Sequence, residues 1–256
     1  MLLSIVECSD YRKSAEWKTH RSEVTVLDEL CEKIGPVRAP SAATMRNKGA
    51  QESSGRWIFF KDDDCDIDLK TIKNICLRLE ETQSPIKILG GIYQPDATGM
   101  VGEIYSFIQR NWVLSGLEKT RSKQFRHGVK LLGGAFLIER KIFEDLNGFS
   151  EDVGWGAEEV ELIQRARKQG VVTAISYRLR VTHRKEMNLA AFVKRAWYQN
   201  YNPGYFSFKR GASFKTGISY FSAPVKYWPS LILFFGVGTL ANSFGVVARK
   251  LGFLWR

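Results

Sequence analysis

The chain has 256 residues, of which 44% are apolar and 25% are charged, and its formal net charge is +11. These values are typical of a globular protein and exclude a largely disordered chain. The four cysteines form no CxxC pair, which argues against a zinc or disulfide framework and favours a reducing compartment. The apolar start, residues 1–5, has no basic lead and is too short for a signal peptide, so we expect a cytoplasmic protein.

The pattern of apolar residues predicts strands and helices that alternate along the chain. Strands are predicted at residues 2–6, 24–27, 57–60, 86–92, 131–138, 171–175 and 180–182, and helices at 14–21, 42–53, 69–81, 104–114, 141–146 and 158–169. Residues 35–41, with two prolines and a glycine, and the basic stretch 119–130 predict loops. This alternation favours an α/β fold around a mainly parallel central sheet.

The C-terminal stretch differs from the rest, so we expect a main domain of residues 1–205 and a basic and apolar tail of residues 206–256. Residues 230–247 carry no charge and lie between Trp228 and Trp255. A membrane-spanning helix needs about 20 apolar residues, and this stretch falls just short. With the basic residues before it, the tail predicts a helix associated with the inner face of the membrane. The alternative is a terminal helix packed on the domain or in a dimer.

The net positive charge fits a nucleic acid, an anionic membrane surface or an anionic substrate. The acidic residues, however, gather in two compact clusters, at 62–68 and 158–161. A nucleic-acid surface would leave these clusters unexplained, so we expect no nucleic-acid partner. Acids concentrated on a basic background are more typical of a site.

The first acidic cluster follows a strongly apolar predicted strand and contains Asp62, Asp63 and Asp64. In open α/β sheets, ligands bind at the carboxyl ends of the strands. Neighbouring carboxylates there can share a hard divalent cation. An EF-hand calcium loop is excluded because its glycine and its final glutamate are absent. The other interpretation is a solvated acidic turn, with Asp68 as N-cap of the next helix.

The second acidic cluster opens a predicted helix with Glu158 and Glu159, after a loop that places Trp155 between two glycines. Acids in a first helical turn complement the helix dipole, which is a sufficient explanation for the carboxylates alone. It does not explain Trp155. A flat aromatic ring on a loop beside carboxylates suits stacking on a sugar, with one carboxylate as general base.

Three motifs stand in order over residues 42–186. They are RNKG at 46–49 followed by DDD at 62–64; GGAF at 133–136 followed by NGF at 147–149 and GWGAEE at 154–159; and VTH at 181–183. In this order the chain resembles GT-A-type glycosyltransferases of the large family-two group. Its second half also resembles the C-terminal region of the β-1,4-galactosyltransferases. The resemblance implies a GT-A fold, a Rossmann-like nucleotide-diphospho-sugar transferase fold.

The resemblance also implies roles for single residues. A cation, Mn²⁺ or Mg²⁺, would bind Asp62, Asp64 and His183. Glu159 would be the catalytic carboxylate, at a position where the family usually has aspartate, and Glu158 would orient the acceptor. The residues expected to contact the donor or line the sugar pocket are Arg46, Asp62, Asp63, Asp64, Gly133, Gly134 and Trp155.

The N-terminal part is shorter than the resemblance requires, because only about 45 residues precede Arg46 where the family has two βα units. Either strand 2–6 is the first strand and the next unit is shortened, or it is the second strand and the first unit is missing. The acid that contacts the nucleotide base would be Asp28 in the first case and Asp10 in the second.

The resemblance implies an inverting, metal-dependent transfer from a nucleotide-sugar, with a UDP-sugar as the first expectation for the donor. The tail and the basic charge add the expectation of a glycan or lipid-linked acceptor, as in polysaccharide biosynthesis. The alternative is a catalytically inactive GT-A-like domain that binds a glycan or a partner enzyme. The shortened N-terminal part motivates this alternative.

Overall fold

The computed structural model describes residues 1–8, 23–37, 39, 41–96, 101–104, 106, 125–127, 135–152, 158–184, 188–194, 196–197, 232–233, 236–237, 239–244 and 247. The chain divides into two compact units. The first, called the sheet unit here, comprises residues 1–94, 119–152 and 158–183, and the second comprises residues 95–118, 153–157 and 184–256. The domain boundary expected at residue 205 stays a prediction.

Nine strands are found among the described residues, and they form one sheet. They are β1 (Leu3–Cys8), β2 (Glu23–Asp28), β3 (Cys31–Val37), β4 (Trp57–Asp62), β5 (Cys65–Ile67), β6 (Ile86–Asp96), β7 (Phe125–His127), β8 (Phe136–Glu139) and β9 (Val172–Arg184). The sheet order is β2-β3-β1-β4-β8-β6-β9-β5, with β7 paired to β9. The helices of the sheet unit are α1 (Ala42–Gln51), α2 (Leu69–Glu81), α3 (Arg140–Asp145) and α4 (Glu158–Lys168).

β1 is the centre of the parallel part of the sheet. It pairs in parallel with β3 on one side and with β4 on the other, so that Leu3 lies opposite both Cys31 and Trp57. A doubly wound sheet has its first strand at such a reversal of strand order, and ligands bind there at the carboxyl ends. β1 therefore occupies the place of the first strand, and the acidic run follows its neighbour β4 at the same edge.

The sheet is mixed, which corrects the expectation of a mainly parallel one. β8 pairs antiparallel with both β4 and β6, β2 pairs antiparallel with β3, and β5 and β7 pair antiparallel with β9. A helical crossover lets the strands on either side of it run parallel. Helix α1 is such a crossover: it connects β3 to β4, and both strands are parallel to β1, which lies between them. Chain order alone does not fix the direction in which β8 enters between β4 and β6.

Three further element predictions need correction. β3 runs through Gly35 and Pro36, where a loop was expected, and β7 lies within the basic stretch 119–130, where a second loop was expected. β9 is one strand where two short strands were expected. Gly35 has φ +150°, and a Cβ there would lie 2.8 Å from the carbonyl oxygen of Glu7. The close approach of β1 therefore requires this glycine, whereas in the sequence alone it indicates a turn.

The core of the sheet unit lies between the sheet and α2. Asp68 is the N-cap of helix α2, because its side chain accepts a hydrogen bond from the Thr71 N–H, and so the capping interpretation holds for Asp68. Its apolar positions recur every three to four residues and are buried against strands β1, β4 and β8, as Ile72, Ile75, Cys76 and Leu79. Buried apolar side chains on both sides of β4 hold this strand in place and thereby fix where the acidic run emerges.

The described residues of the tail are helical at 232–233, 236–237 and 239–244. Within the second unit, the ring of Phe244 packs on Trp197 with 5.8 Å between centroids. No helix in the part of the chain that the structure describes combines the length and the apolar content that a bilayer crossing requires. Association of the tail with a membrane stays a prediction.

Candidate active site

The acidic run leaves the sheet beside the end of β1. Asp62 is the last residue of β4 and lies opposite Cys8, and the Asp63 N–H donates to the Cys8 carbonyl oxygen at 2.9 Å. The parallel register thus places the run at the carboxyl ends of two neighbouring strands. Asp63 is exposed to solvent, whereas Asp62 and Asp64 are half-buried.

Arg46 connects the two acidic clusters. It projects from α1, which has Ser41 as its N-cap, and its side chain is buried. Its Nη1 donates to Glu158 Oε1 at 2.5 Å and its Nη2 donates to Asp62 Oδ1 at 3.3 Å. The guanidinium also lies over the ring of Phe149, 5.6 Å from its centroid. One buried cation therefore joins the end of β4 to the start of α4.

The electrostatics of Arg46 follow from this position. Burial alone would lower the pKa of Arg46, but the charges of Glu158 and Asp62 outweigh burial and raise the pKa above its ordinary value. Arg46 is therefore a permanent cation. A buried ion pair of this kind costs desolvation on both sides, and its geometry must be good to offset that cost.

The second feature of the edge is a group of possible metal ligands. β5 pairs with β9 so that Cys65 lies opposite His183, and His183 Nε2 lies 3.1 Å from Asp64 Oδ1. One ligand atom from each of Asp64, Cys65 and His183 lies within 4.8 Å of the other two. Oxygen, nitrogen and sulfur donors at such separations suit a divalent cation.

The structure brings together part of the expected metal site and adds to it. Asp64 and His183 meet as the resemblance implied, and Asp62 lies with Arg46. Cys65 is the member of this group that sequence reasoning did not consider as a possible ligand. Its only signal was its place directly after the acidic run, because a cysteine outside a CxxC pair carries no metal signature.

All three carboxylates of the second cluster, those of Glu158, Glu159 and Glu161, are buried in the first turn of α4. Glu158 takes part in the ion pair with Arg46, and Glu159 follows it in the chain. Glu161 pairs with Arg165, which lies one turn farther along α4 and whose Nη2 also donates to the Gly148 carbonyl oxygen at 2.6 Å. The start of α4 is thereby fixed to the turn that carries the NGF motif.

Asn47 fixes the same turn from the other side. Its Nδ2 donates to the Phe149 carbonyl oxygen at 2.9 Å and to Glu151 Oε1 at 2.9 Å, while the Phe149 N–H donates to Asn47 Oδ1 at 2.8 Å. Asn147 and Gly148 both have positive φ, and a Cβ on Gly148 would lie 2.6 Å from Asn47 Oδ1. The RNKG and NGF motifs are therefore one structural unit, a role for Asn47 that sequence reasoning missed.

The structure does not bring Asp28 to this edge. Asp28 lies opposite Cys31, at the amino end of the parallel strands, and its carboxylate accepts from Lys73 Nζ at 2.5 Å. Because the acidic run begins at the level of Cys8, the two ends are roughly 16 Å apart along β1. The remaining expected site residues, Asp10, Gly133, Gly134 and Trp155, lie outside the described residues.

Comparisons with known proteins concern the fold and one segment of the chain. Residues 117–189, which include α4 and His183, match the family described as the N-terminal domain of galactosyltransferase. The mannosyltransferase PcManGT from Pyrobaculum calidifontis, solved with GDP-Man and Mn²⁺, is similar over 97% of this chain and 73% of its own, with a TM-score of 0.54 and 12% identity. The fold and the matched segment support a GT-A-type glycosyltransferase. These findings confirm the resemblance to GT-A-type glycosyltransferases and, over residues 117–189, the resemblance to galactosyltransferases. Membership of the family-two group stays a prediction.

A second GT-A structure gives the same fold. GalNAc-T7, solved with UDP, GalNAc and Mn²⁺, is similar over 82% of this chain and 51% of its own, with a TM-score of 0.50 and 13% identity. The present chain thus spans about half the length of GalNAc-T7. No curated protein matches the sequence.

Proposed function

We propose that this GT-A protein is an inverting glycosyltransferase that moves a sugar from a nucleotide-sugar donor to a hydroxyl group of a glycan or lipid-linked acceptor. The observation that carries the proposal is Arg46, a buried cation that joins Asp62 at the end of β4 to Glu158 at the start of α4. Asp62 and Glu158 are 96 residues apart in the chain, and their pairs with Arg46 bring the two carboxylate clusters together at one edge of the sheet. A purely structural ion pair would not need the adjoining Asp64 and His183.

A divalent cation fits the residues at this edge. Asp64 and His183 would hold it, since a carboxylate oxygen and an imidazole nitrogen 3.1 Å apart can both bind one divalent cation. When bound, a cation such as Mn²⁺ or Mg²⁺ neutralises the charge of the donor diphosphate. Both similar structures were solved with Mn²⁺, together with UDP in one case and GDP-Man in the other.

We assign the general base to Glu159. Arg46 holds Glu158 in an ion pair, so Glu158 serves to orient α4 and the acceptor. Glu159 would accept the proton of the acceptor hydroxyl while that oxygen attacks the anomeric carbon from the face opposite the diphosphate. The bond from the anomeric carbon to the diphosphate oxygen breaks, and the sugar is transferred with inversion.

The test is metal-dependent release of nucleoside diphosphate from UDP-sugars and GDP-mannose. We expect turnover with Mn²⁺, and a loss of roughly 10²-fold or more in both Asp64→Asn and Glu159→Gln. Glu144→Gln, which changes an exposed carboxylate on α3, is the matched control and should retain full activity. If both site variants keep wild-type turnover, the assignment of the active site is wrong. Donor binding without any turnover would favour the inactive, glycan-binding alternative.

We propose further that the tail places the enzyme at the cytoplasmic face of a membrane. Leu240, Phe244 and Val247 are exposed and recur at a helical spacing of four and three residues, so they share one face. An exposed apolar face with basic residues before and after it suits the surface of an anionic bilayer. The full-length protein should pellet with anionic vesicles, and Leu240→Glu with Phe244→Glu should release it. A protein that stays in the supernatant with anionic vesicles contradicts this part of the proposal.

A further inference from the structure

Cys65 is the member of the ligand group to which the proposed reaction gives no role. It begins β5, it is buried, and its Sγ lies 3.8 Å from Asp64 Oδ1. Its strand partner His183 is 2% exposed and offers Nε2 to the same carboxylate. The three side chains come from a turn, a short strand and a long strand, and the β5–β9 pairing holds them in register.

Two of the three separations of these ligand atoms lie close to those of a tetrahedral metal site. With a Zn–S distance of about 2.3 Å and Zn–N and Zn–O distances of about 2.0 Å, tetrahedral angles would separate the ligand atoms by roughly 3.3–3.5 Å. The observed separations are 3.1 Å between Asp64 Oδ1 and His183 Nε2, 3.8 Å between Cys65 Sγ and Asp64 Oδ1, and no more than 4.8 Å for any pair. Shifts of a few tenths of an ångström would bring the first two pairs to these values, and the pair of Cys65 Sγ and His183 Nε2 would have to approach by at most about 1.3 Å.

We propose that Cys65 is the third protein ligand of this metal site and that its sulfur gives the site a preference for the thiophilic cations Zn²⁺ and Co²⁺ over Mn²⁺. Carboxylate and water oxygens favour Mg²⁺ and Mn²⁺, whereas thiolate and imidazole favour Zn²⁺. On binding, the Cys65 thiol gives its proton to solvent. One carboxylate and one thiolate then balance the two positive charges of the ion. The inference rests on the metal site of the proposed function, and it does not require the transfer reaction.

Cobalt spectroscopy tests whether sulfur binds the ion. The full-length protein, reduced and freed of metal, is titrated with Co²⁺ while the absorption spectrum is recorded. We expect one equivalent of Co²⁺ to produce a thiolate-to-cobalt charge-transfer band in the near ultraviolet. The band should disappear in Cys65→Ser and in Cys65→Ala, and it should persist in Cys76→Ala, which removes a buried thiol from the core helix α2. Circular dichroism of each variant shows that it is folded.

Several results would overturn the inference. These are Co²⁺ binding to the wild type without the band, no Co²⁺ binding at all, or a band that persists in a folded Cys65 variant. Loss of the band in Cys8→Ala instead would assign the thiolate to the cysteine at the end of β1 and would equally overturn it.

A competition experiment tests the preference itself. In Cys65→Ser we expect the Zn²⁺ affinity to fall by roughly tenfold or more, at least as much as removal of an outer hydrogen-bond partner costs. The Mn²⁺ affinity, measured from the electron paramagnetic resonance signal of free Mn²⁺, should change much less. Equal losses for both ions contradict the preference. Mn²⁺-dependent donor hydrolysis is measured in parallel. If hydrolysis occurs without the cobalt band, only the role of Cys65 is contradicted. If the band appears without hydrolysis, only the proposed reaction is contradicted.

Discussion

The two ends of the parallel strands β1, β3 and β4 both carry arginine–carboxylate networks, but the networks differ in burial. At the amino end, Arg56 is 57% exposed and pairs with Glu80 and Glu139. At the carboxyl end, Arg46 is 6% exposed and pairs with Asp62 and Glu158. The same pairing therefore occurs once around an exposed arginine and once around a buried one.

The difference in burial of the two arginines distinguishes a surface network at the amino end from a candidate site at the carboxyl end. Exposed ion pairs contribute about 0–1 kcal/mol each, so the amino-end network is nearly neutral for stability. A buried pair is often no more stabilising than apolar side chains of the same volume, yet loss of one partner leaves a buried charge uncompensated. Burial of a cation between two acid clusters is thus a poor way to gain stability. The contact of Arg46 with Asp62, two residues before Asp64 in the chain, is better explained by function.

The largest expected effect follows from this contrast. Arg46→Met should lower the free energy of unfolding by about 3–5 kcal/mol, because Glu158 then remains buried without its cation. Arg56→Met, the matched change at the amino end, should cost less than about 1 kcal/mol. Urea unfolding of the two variants measures both values. Similar losses in the two variants would contradict the contrast, and Arg46→Met combined with Glu158→Gln should recover part of the loss.

A smaller effect is expected from Asn47→Ala. The change leaves the N–H and the carbonyl of Phe149 without the side chain that satisfies both, which should cost about 1–3 kcal/mol. Asn47 acts as a positioning residue, because the turn it holds leads to α4 and Glu159. We therefore expect kcat of donor hydrolysis to fall while KM for the donor changes little. A fall in stability with kcat unchanged would show that the turn is structural only.

The amino end should show its own signature in the pH dependence of stability. Burial raises the pKa of Glu32, but hydrogen bonds from the Ser4 hydroxyl and the Ser54 N–H outweigh burial and hold the pKa below its ordinary value. A depressed pKa means that the stability is present above the pKa of the unfolded chain and is lost as the pH falls through the folded value. Urea midpoints between about pH 5 and pH 3 should therefore fall more steeply in the wild type than in Glu32→Gln. An equal slope in both proteins would exclude Glu32 as a cause.

Much of the fold could be predicted from local patterns. Helix α2 was expected at residues 69–81 and is found at Leu69–Glu81, because a periodic apolar face and a capping aspartate are both local signals. The strand before the acidic run, β4, was also predicted from a local signal, its continuous apolar run. β3 was missed, because the need for Gly35 arises from its approach to Glu7, and β5 was missed, because three residues after an acidic turn carry no strand pattern.

The site was predictable only where a motif carries it. Asp64 and His183 were paired through the resemblance, and the structure brings them together. Nothing local indicates that Arg46 is buried, because its partner Glu158 lies 112 residues away and the contact depends on the folded sheet. The nearness of Cys65 to His183 is likewise visible only in the structure, because it depends on the pairing of β5 with β9.

The smallest expected effect concerns Asp28, which sequence reasoning offered as a contact to the nucleotide base. Asp28 lies at the amino end, paired with Lys73 and away from the acidic run. Asp28→Asn should therefore leave the affinity for UDP with Mn²⁺ unchanged, whereas Asp62→Asn should weaken it, as calorimetric titration would show. The urea midpoint of Asp28→Asn should also stay near the wild-type value, because exposed ion pairs contribute little. Weaker nucleotide binding in Asp28→Asn would mean that the amino end takes part in the site, and the contrast between the two ends would fail.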